Sequence, residues 1–199
     1  MVAPSINSEI ENRAREIVFM LMERPITEDV ALRVGLLDGF KKLEIVNGNW
    51  VGLEQGEVMG GERHGWIESL IISALTMWAI QHKAGRVYPG DTDFVLEGQP
   101  KNIILDRKPD VAFVRSDKVT PTSGFNYLVP DLAVEITSPS DRPSKIQEKI
   151  TEYLKYGVQQ VWQVYPDTEQ IVVHLPDGTS RTYGLDDTII GGDLLPEFE

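Results

Sequence analysis

The 199-residue sequence contains no cysteine. Disulfide frameworks, zinc sites built on thiolates and cysteine nucleophiles are therefore excluded together. Histidine is scarce too: His64, His82 and His174 are scattered, without the close spacing of a metal-binding pair. No apolar run approaches the length of a membrane span. The first thirty residues carry Glu9, Glu11, Arg13, Arg15, Glu16, Glu23 and Arg24, charges that a secretory signal does not tolerate, so a cytoplasmic protein without a membrane partner is expected. Basic charge is in deficit. The 19 Lys and Arg against 31 Asp and Glu leave a net charge of −12, which speaks against a nucleic-acid partner because phosphate binding needs a basic surface. The deficit is uneven. Residues 101–155 hold nine basic and eight acidic residues, whereas the remainder holds ten and twenty-three, so a phosphate-bearing substrate is still admissible in that stretch.

The rest of the composition is that of an ordinary folded protein, 41% hydrophobic and 25% charged, long enough for one medium domain. No repeat or linker divides it. The expected organisation is an N-terminal helix within residues 1–26 and a domain over 27–199, forming one compact unit. Residues 8–23 read as an amphipathic helix with Ile10, Ala14, Ile17, Val18 and Leu21 on one stripe, closed by Pro25. Thr27 is placed to cap a second helix through about Leu36. Leu43, Ile45, Trp50 and Leu53 flank Asn47-Gly48, a strong hairpin signal. Helical spacing of Trp66, Ile67, Leu70, Ile71, Ala74, Leu75 and Trp78 predicts a long helix over about 62–83 that Gly85 ends. Strands are predicted near 86–88, 92–96, 110–115, 131–137, 158–165, 170–175 and 181–183. A helix over about 144–156, with Ile146, Ile150, Tyr153 and Leu154 inward, separates the fourth strand from the fifth. One helix between two strands implies a parallel pair, while the hairpins imply antiparallel ones, so the sheet is mixed.

Two carboxylates sit where carboxylates are costly. In the strand Asp131-Leu-Ala-Val-Glu-Ile-Thr137 side chains alternate, so Asp131, Ala133, Glu135 and Thr137 share one face. Glu135 thus lies within a core strand and must be paired, protonated or bound to a metal. Asp110, directly after Pro109, heads the apolar strand Val111-Ala-Phe-Val114. Two carboxylates on adjacent strands, with a backbone carbonyl and waters, supply the oxygen ligands that Mg²⁺ prefers. From spacing alone, a turn carboxylate at Asp110 and an ion pair from Glu135 to Lys149 or Arg142 account for the pattern equally well.

The segments Arg107-Lys-Pro-Asp110-Val-Ala-Phe-Val and Pro130-Asp-Leu-Ala-Val-Glu135-Ile-Thr-Ser-Pro-Ser140-Asp resemble the Uma family of restriction-endonuclease-like proteins, within the PD-(D/E)XK nuclease superfamily. Lys149, Tyr153, Gly157 and Val158 resemble the family's K-x-x-x-Y-x-x-x-G-V stretch, which a Trp-bearing strand follows. Leu43-Glu44-Ile-Val-Asn-Gly48 resembles its E-L-I-x-G hairpin, His64 its pre-helical histidine, and Asp193–Phe198 its C-terminal ending. The likeness runs from about Thr27 to the C-terminus. It implies an α/β restriction-endonuclease-like core, a central mixed β-sheet flanked by helices, that binds Mg²⁺ or Mn²⁺. Asp110 and Glu135 would be the metal ligands, with the Ile136 carbonyl a third. The superfamily's E-x-K pattern departs here to Glu135-Ile-Thr137. Lys149, on the following helix, is the natural substitute, since helical side chains lean toward the N-terminal end. Lys145 precedes it by four residues on the same face.

Weaker candidates stand beside these. Glu44 either approaches the site, as the resemblance implies, or lies on an exposed strand face. His64 is a functional group or a polar residue at the helix start near Glu62. Asp131 reads as a turn or capping carboxylate, Trp66 and Trp78 as core, and Ser138 and Ser140 as turn and cap residues with no basic partner. The function expected is a metal-dependent endonuclease cutting DNA phosphodiesters, with catalytic residues Asp110, Glu135 and Lys149, working as a homodimer to reach both strands. The competing expectations are a catalytically inactive nuclease-fold binding module and a metal-dependent hydrolase of a small phosphorylated compound, which the acidic surface suits better.

Overall fold

A computed structural model of the chain describes residues 6–37, 43–52, 61–139 and 141–199, with side chains from residue 13 onward. Leu53, Ser140 and the side chain of Ile10 lie outside the described residues. The predicted 8–23 helix is α1, Ile6–Met22, but the predicted stripe does not match its burial: Met20 is buried, while Val18 of the stripe is exposed. Helix α2, Glu28–Gly35, starts as expected at Thr27, whose side chain accepts from the Val30 amide at 3.4 Å. Strands β1, Glu44–Val46, and β2, Asn49–Val51, form the predicted hairpin. Asn47 and Gly48 take φ of 50° and 68°, the left-handed pair that a type I′ turn requires.

Helix α3, Glu62–His82, matches the predicted span, with two differences. Lys83, not Gly85, adopts the left-handed cap, at φ 53°. Gly85 instead begins β3, Gly85–Pro89, where a Cβ would lie 2.0 Å from the Val114 carbonyl oxygen of the neighbouring strand. Trp66 is not core: it is exposed, whereas Leu75 and Trp78 are buried. The apolar pattern of α3 runs around the whole helix, so spacing could not tell which face the sheet would take.

Strands β4, Phe94–Gln99, and β5, Asn102–Arg107, form an antiparallel hairpin. The predicted 92–96 strand starts two residues later, and β5 was not anticipated, because Ile103-Ile104-Leu105 is too short and lacks alternation. With β1 and β2 they make a four-stranded sheet ordered β2-β1-β5-β4. Strands β6, Val111–Arg115, and β7, Leu132–Ile136, follow, then α4, Pro143–Tyr156, and β8, Gln160–Tyr165. Strands β9, Gln170–His174, and β10, Ser180–Tyr183, complete a six-stranded sheet ordered β10-β9-β8-β7-β6-β3. It is mixed as expected: β7 and β8, joined through α4, are parallel and the other neighbours antiparallel. Gly157 ends α4 at φ 104°, a conformation that only glycine adopts without strain.

Every residue of β7 is buried, because both faces of this sheet are covered. On one face Val111, Phe113, Leu132, Val134 and Ile136 pack with Leu75, Trp78 and Ala79 of α3. On the other, Ala112, Val114 and Ala133 pack with Ile146, Ile150 and Tyr153 of α4, and with Phe94, Leu96 and Leu105 of the second sheet. The small alanines leave room there for α4 and the second sheet together. Both elements therefore converge where β6 begins and β7 ends. Among the described residues no helix is long and apolar enough to cross a membrane.

Candidate active site

Strands β6 and β7 run antiparallel with Val111 opposite Val134 and Ala112 opposite Ala133. One step further the same register sets Asp110 beside Glu135, on the face shared with Ala112 and Ala133 and turned toward α4. The pairing is tightened by Asp110 itself, whose Oδ2 accepts from the Ile136 amide at 2.7 Å. His64, in the first turn of α3, holds its Nε2 3.4 Å from the same oxygen. The backbone of Ile136 and the carboxyls of Asp110 and Glu135 thus lie together where β6 begins and β7 ends.

Glu135 is buried, and its two oxygens have different partners. Oε1 accepts from the Tyr153 hydroxyl at 2.7 Å, and Oε2 lies 3.5 Å from Lys149 Nζ. Burial pushes the Glu135 carboxyl up to about 7; Lys149 opposes this, and the charges of Asp110 and Glu44 reinforce it. Of the two partners admissible from sequence, the structure selects Lys149, while Arg142 is the exposed cap residue before α4.

Lys149 is held by a second carboxylate, Glu44 Oε1, at 3.0 Å. Burial would lower its pKa, but the charges of Glu135 and Glu44 outweigh that and raise it, so the ammonium stays charged. Glu44 is buried, not on an exposed strand face. Its Oε2 accepts from Arg107 Nη1 at 2.7 Å and its Oε1 from the Lys108 amide at 3.1 Å. Burial pushes the Glu44 carboxyl up, yet Lys149 and Arg107 prevail and hold it below the usual range. Arg107 in turn donates from Nε to Glu152 Oε2 at 2.8 Å. A chain of charge, buried at Arg107, Glu44 and Glu135 and half-buried at Glu152 and Lys149, runs Glu152–Arg107–Glu44–Lys149–Glu135, linking α4 to β5, β1 and β7.

The other sequence candidates are placed away from this centre. Lys145, which shares a helix face with Lys149, is exposed and pairs with Glu148 at 2.8 Å. Thr137 turns its hydroxyl to donate to the Val164 carbonyl at 2.9 Å. Asp131 is wholly buried at the opposite end of β7, where it takes the Arg115 amide at 2.9 Å, Lys118 Nζ at 2.8 Å and Gln159 Nε2 at 2.8 Å. It clips the strand ends together, as a turn carboxylate does. Ser138 is a turn residue, its amide donating to Asp141 Oδ2 at 2.6 Å. His82 stacks on Trp78 with ring centroids 5.4 Å apart, and His174 lies 3.2 Å from Gln163.

Two participants, Tyr153 and Arg107, are given no role by the sequence alone. Tyr153 reads as an inward helix residue, and its place in the K-x-x-x-Y-x-x-x-G-V resemblance is the signal that sets it apart. Arg107 opens the segment that carries the resemblance around Asp110, and nothing local points it at Glu44. Behind Arg107, on the opposite face of β5, buried Asp106 neighbours half-buried Asp93, which pairs with Lys108 Nζ at 3.0 Å. Burial raises both carboxyls, and in Asp106 the Asp93 charge adds to the rise.

The donor set fits a divalent cation in its chemistry. Two carboxylates lie side by side at the ends of neighbouring strands, and a cation would offset both the burial that chiefly raises Glu135 and the Asp110 charge that adds to it. Among the described residues no group of three His, Asp or Glu is close enough to hold an ion by side chains alone. An ion here would rely on two carboxylates, backbone and water, which suits Mg²⁺.

A family described as "Uma2: Putative restriction endonuclease" matches residues 39–199. A crystal structure described as "a putative nuclease belonging to DUF820 from Anabaena variabilis ATCC 29413" superposes with a TM-score of 0.67. It is 20% identical and covers 86% of this chain and 92% of its own, a likeness of fold. A DrdV–DNA complex, 14% identical over 62% of this chain and 72% of its own, has a TM-score of 0.36, too low to carry weight. No curated protein matches. With its match running from residue 39 to residue 199, through Glu44, His64, Asp110, Glu135 and Lys149, the chain belongs to the Uma2 family of restriction-endonuclease-like proteins.

Proposed function

We propose that the chain is a metal-dependent endonuclease that hydrolyses DNA phosphodiester bonds, with Asp110, Glu135 and Lys149 as its catalytic residues. The observation that carries this reading is the position of Lys149 Nζ, 3.5 Å from Glu135 Oε2 and 3.0 Å from Glu44 Oε1, in a chain whose strand lysine is replaced by Thr137. Asp110, Glu135 and the Ile136 carbonyl would hold Mg²⁺ or Mn²⁺, which supplies a bound water of lowered pKa and positive charge against a phosphate oxygen.

The chain's own residues do the positioning. The Ile136 amide and His64 fix Asp110, and the Tyr153 hydroxyl fixes one oxygen of Glu135. Glu44, itself fixed by Arg107 and the Lys108 amide, aims Lys149 at the carboxylate pair. A charged ammonium beside the metal ligands offsets the negative charge that builds on a phosphoryl group under attack, a role a threonine hydroxyl cannot fill. Preorganisation matters because each donor is already in place before substrate arrives.

The competing reading, a nuclease-fold binding module without catalysis, draws support from one feature: Lys149 is engaged by both carboxylates, as in a structural ion pair. Calorimetric titration of Mg²⁺ and Mn²⁺ into wild type and Glu135→Ala, followed by cleavage assays on duplex and single-stranded DNA, separates the two. Metal binding lost in the variant, with metal-dependent cleavage by wild type, supports the enzyme. Absent cleavage with intact DNA binding supports the module. Cleavage of small phosphate esters but not DNA would favour the hydrolase that the net charge of −12 suits.

A further inference from the structure

Helix α3 is apolar on both faces. One face carries Leu75, Trp78 and Ala79 into the core. The other presents Trp66, Leu70, Met77 and Ile80 to solvent, 60, 50, 72 and 73% exposed. With Ser73 between them, these positions recur at intervals of four, three, four and three residues, the seam spacing of a helix that packs along another. A helix apolar all round is ordinarily buried.

We propose that this face of α3 is the contact between two copies of the chain, packed antiparallel about a two-fold axis at Ser73. Three observations favour a second copy as the occupant. The first is charge. With a net charge of −12, self-association is opposed over most of the surface, yet α3 carries no Asp, Glu, Lys or Arg between Glu68 and its end at His82. Glu68 itself turns toward the sheet, accepting from the Gly90 amide at 3.3 Å.

The second is polar satisfaction. Ser69 donates to the Gly65 carbonyl at 2.8 Å and Ser73 to the Ser69 carbonyl at 2.7 Å, so excluding water from the seam leaves neither hydroxyl without an acceptor. The third is shape and area. Small residues at the centre, Ser69, Ser73 and Ala74, let two helices approach to about 8 Å. Antiparallel pairing then sets Trp66 against Ile80 and Leu70 against Met77, and opposes the helix dipoles. The four large side chains offer on the order of 450 Å² per copy, so a pair covers roughly 1,000 Å² once the small residues between them are included, the lower bound of a specific interface.

Each copy keeps its own site at the start of α3. His64 lies nine residues from Ser73, so the two His64 would stand about 27 Å apart along the helix axes, at ~1.5 Å per residue. Use of that spacing to cut two strands rests on the nuclease reading; the dimer does not.

The sequence has no cysteine, so a single introduced one reports unambiguously. Sedimentation of the full chain over about 1–100 μM, the range matching an interface of this size, should show mass rising from 22.3 kDa toward twice that. Leu70→Glu/Met77→Glu should remain monomeric with an unchanged circular dichroism spectrum and melting temperature, since both side chains are exposed. Under mild oxidation Ser73→Cys should form a disulfide-linked dimer, and Ile80→Cys should not, because its own copy lies far across the axis. A monomeric wild type throughout, a double variant that dimerises like wild type, or efficient Ile80→Cys crosslinking would each overturn the proposal. Metal binding and cleavage, measured separately, bear only on the site.

Discussion

Tyr153 donates its buried hydroxyl to Glu135 Oε1 at 2.7 Å, from one turn beyond Lys149 on the same helix. The bond favours the ionised carboxylate and is among the causes that hold the Glu135 pKa down. Tyr153→Phe keeps the ring in the core and removes that donor. The Glu135 carboxyl is expected to rise above about 7, and metal affinity at pH 7 to fall relative to wild type, with recovery at higher pH. Calorimetric titration of Mn²⁺ at pH 7 and pH 8.5 measures both; equal affinities for the two proteins at pH 7 would contradict it.

Glu135 also sets a pH dependence of stability. Its folded pKa of about 7 lies above the ordinary 4.5, so between those values the native state holds a proton that the unfolded state has lost. Stability therefore falls as pH rises from about 4.5 to about 7 and is level beyond. The difference corresponds to a cost on the order of 3 kcal/mol for the ionised form. Glu135→Gln should lack this slope. In metal-free urea titrations it should match wild type near pH 4.5 and exceed it at pH 8; wild-type stability that rises between pH 5 and 7 by this group would refute the assignment.

Lys149→Ala tests catalysis apart from metal binding. Removing Lys149 takes away the main charge that holds the Glu135 carboxyl down, so the variant is assayed at saturating metal over a rising pH series, where it should bind metal and keep its fold. Cleavage should fall by roughly 10²–10³, the loss typical of one transition-state stabiliser, with partial recovery in Lys149→Arg. Lys145→Ala, whose side chain pairs with Glu148 in solvent, should cleave as wild type does. Undiminished cleavage by Lys149→Ala would remove that residue from the mechanism.

Arg107 is the structural hinge of the charge network. Its side chain is 4% exposed and bonds Glu44 and Glu152. Arg107→Met removes the charge but keeps the stem, leaving buried Glu44 with the Lys149 ammonium and the Lys108 amide but without its bond to the guanidinium. Breaking a buried pair in this way costs about 3–5 kcal/mol, so a marked drop in the urea midpoint is expected. Because Glu44 then loses one of the groups that orient it, Lys149 should be less ordered and cleavage lower even where the variant is folded. A variant as stable as wild type would mean that water replaces the guanidinium.

Local pattern determined much of this protein. Alternation along 131–137 sets Ala133 and Glu135 on one face, and this holds within β7; Asp131 and Thr137 fall outside the strand and turn to the Arg115 amide and the Val164 carbonyl. Asn47-Gly48 determined a hairpin through its left-handed preference, and the helix between β7 and β8 determined a parallel pair. Burial was legible where one face alone was apolar, as in α4. In α3, apolar all round, the sequence could not distinguish Trp66 from Trp78; only the docking of the sheet and the C-terminal segment, with Trp78 Nε1 donating to the Pro196 carbonyl at 2.8 Å, decided it. The site depended still more on tertiary structure. Lys145 and Lys149 share a helix face, yet only Lys149 reaches the place where Glu44 and Glu135 come together. Glu44, Arg107, Glu135 and Lys149 come from β1, β5, β7 and α4, and no local period links them. Their charges are held in place by one another, and a carboxylate's partner across such distances in sequence is settled by packing.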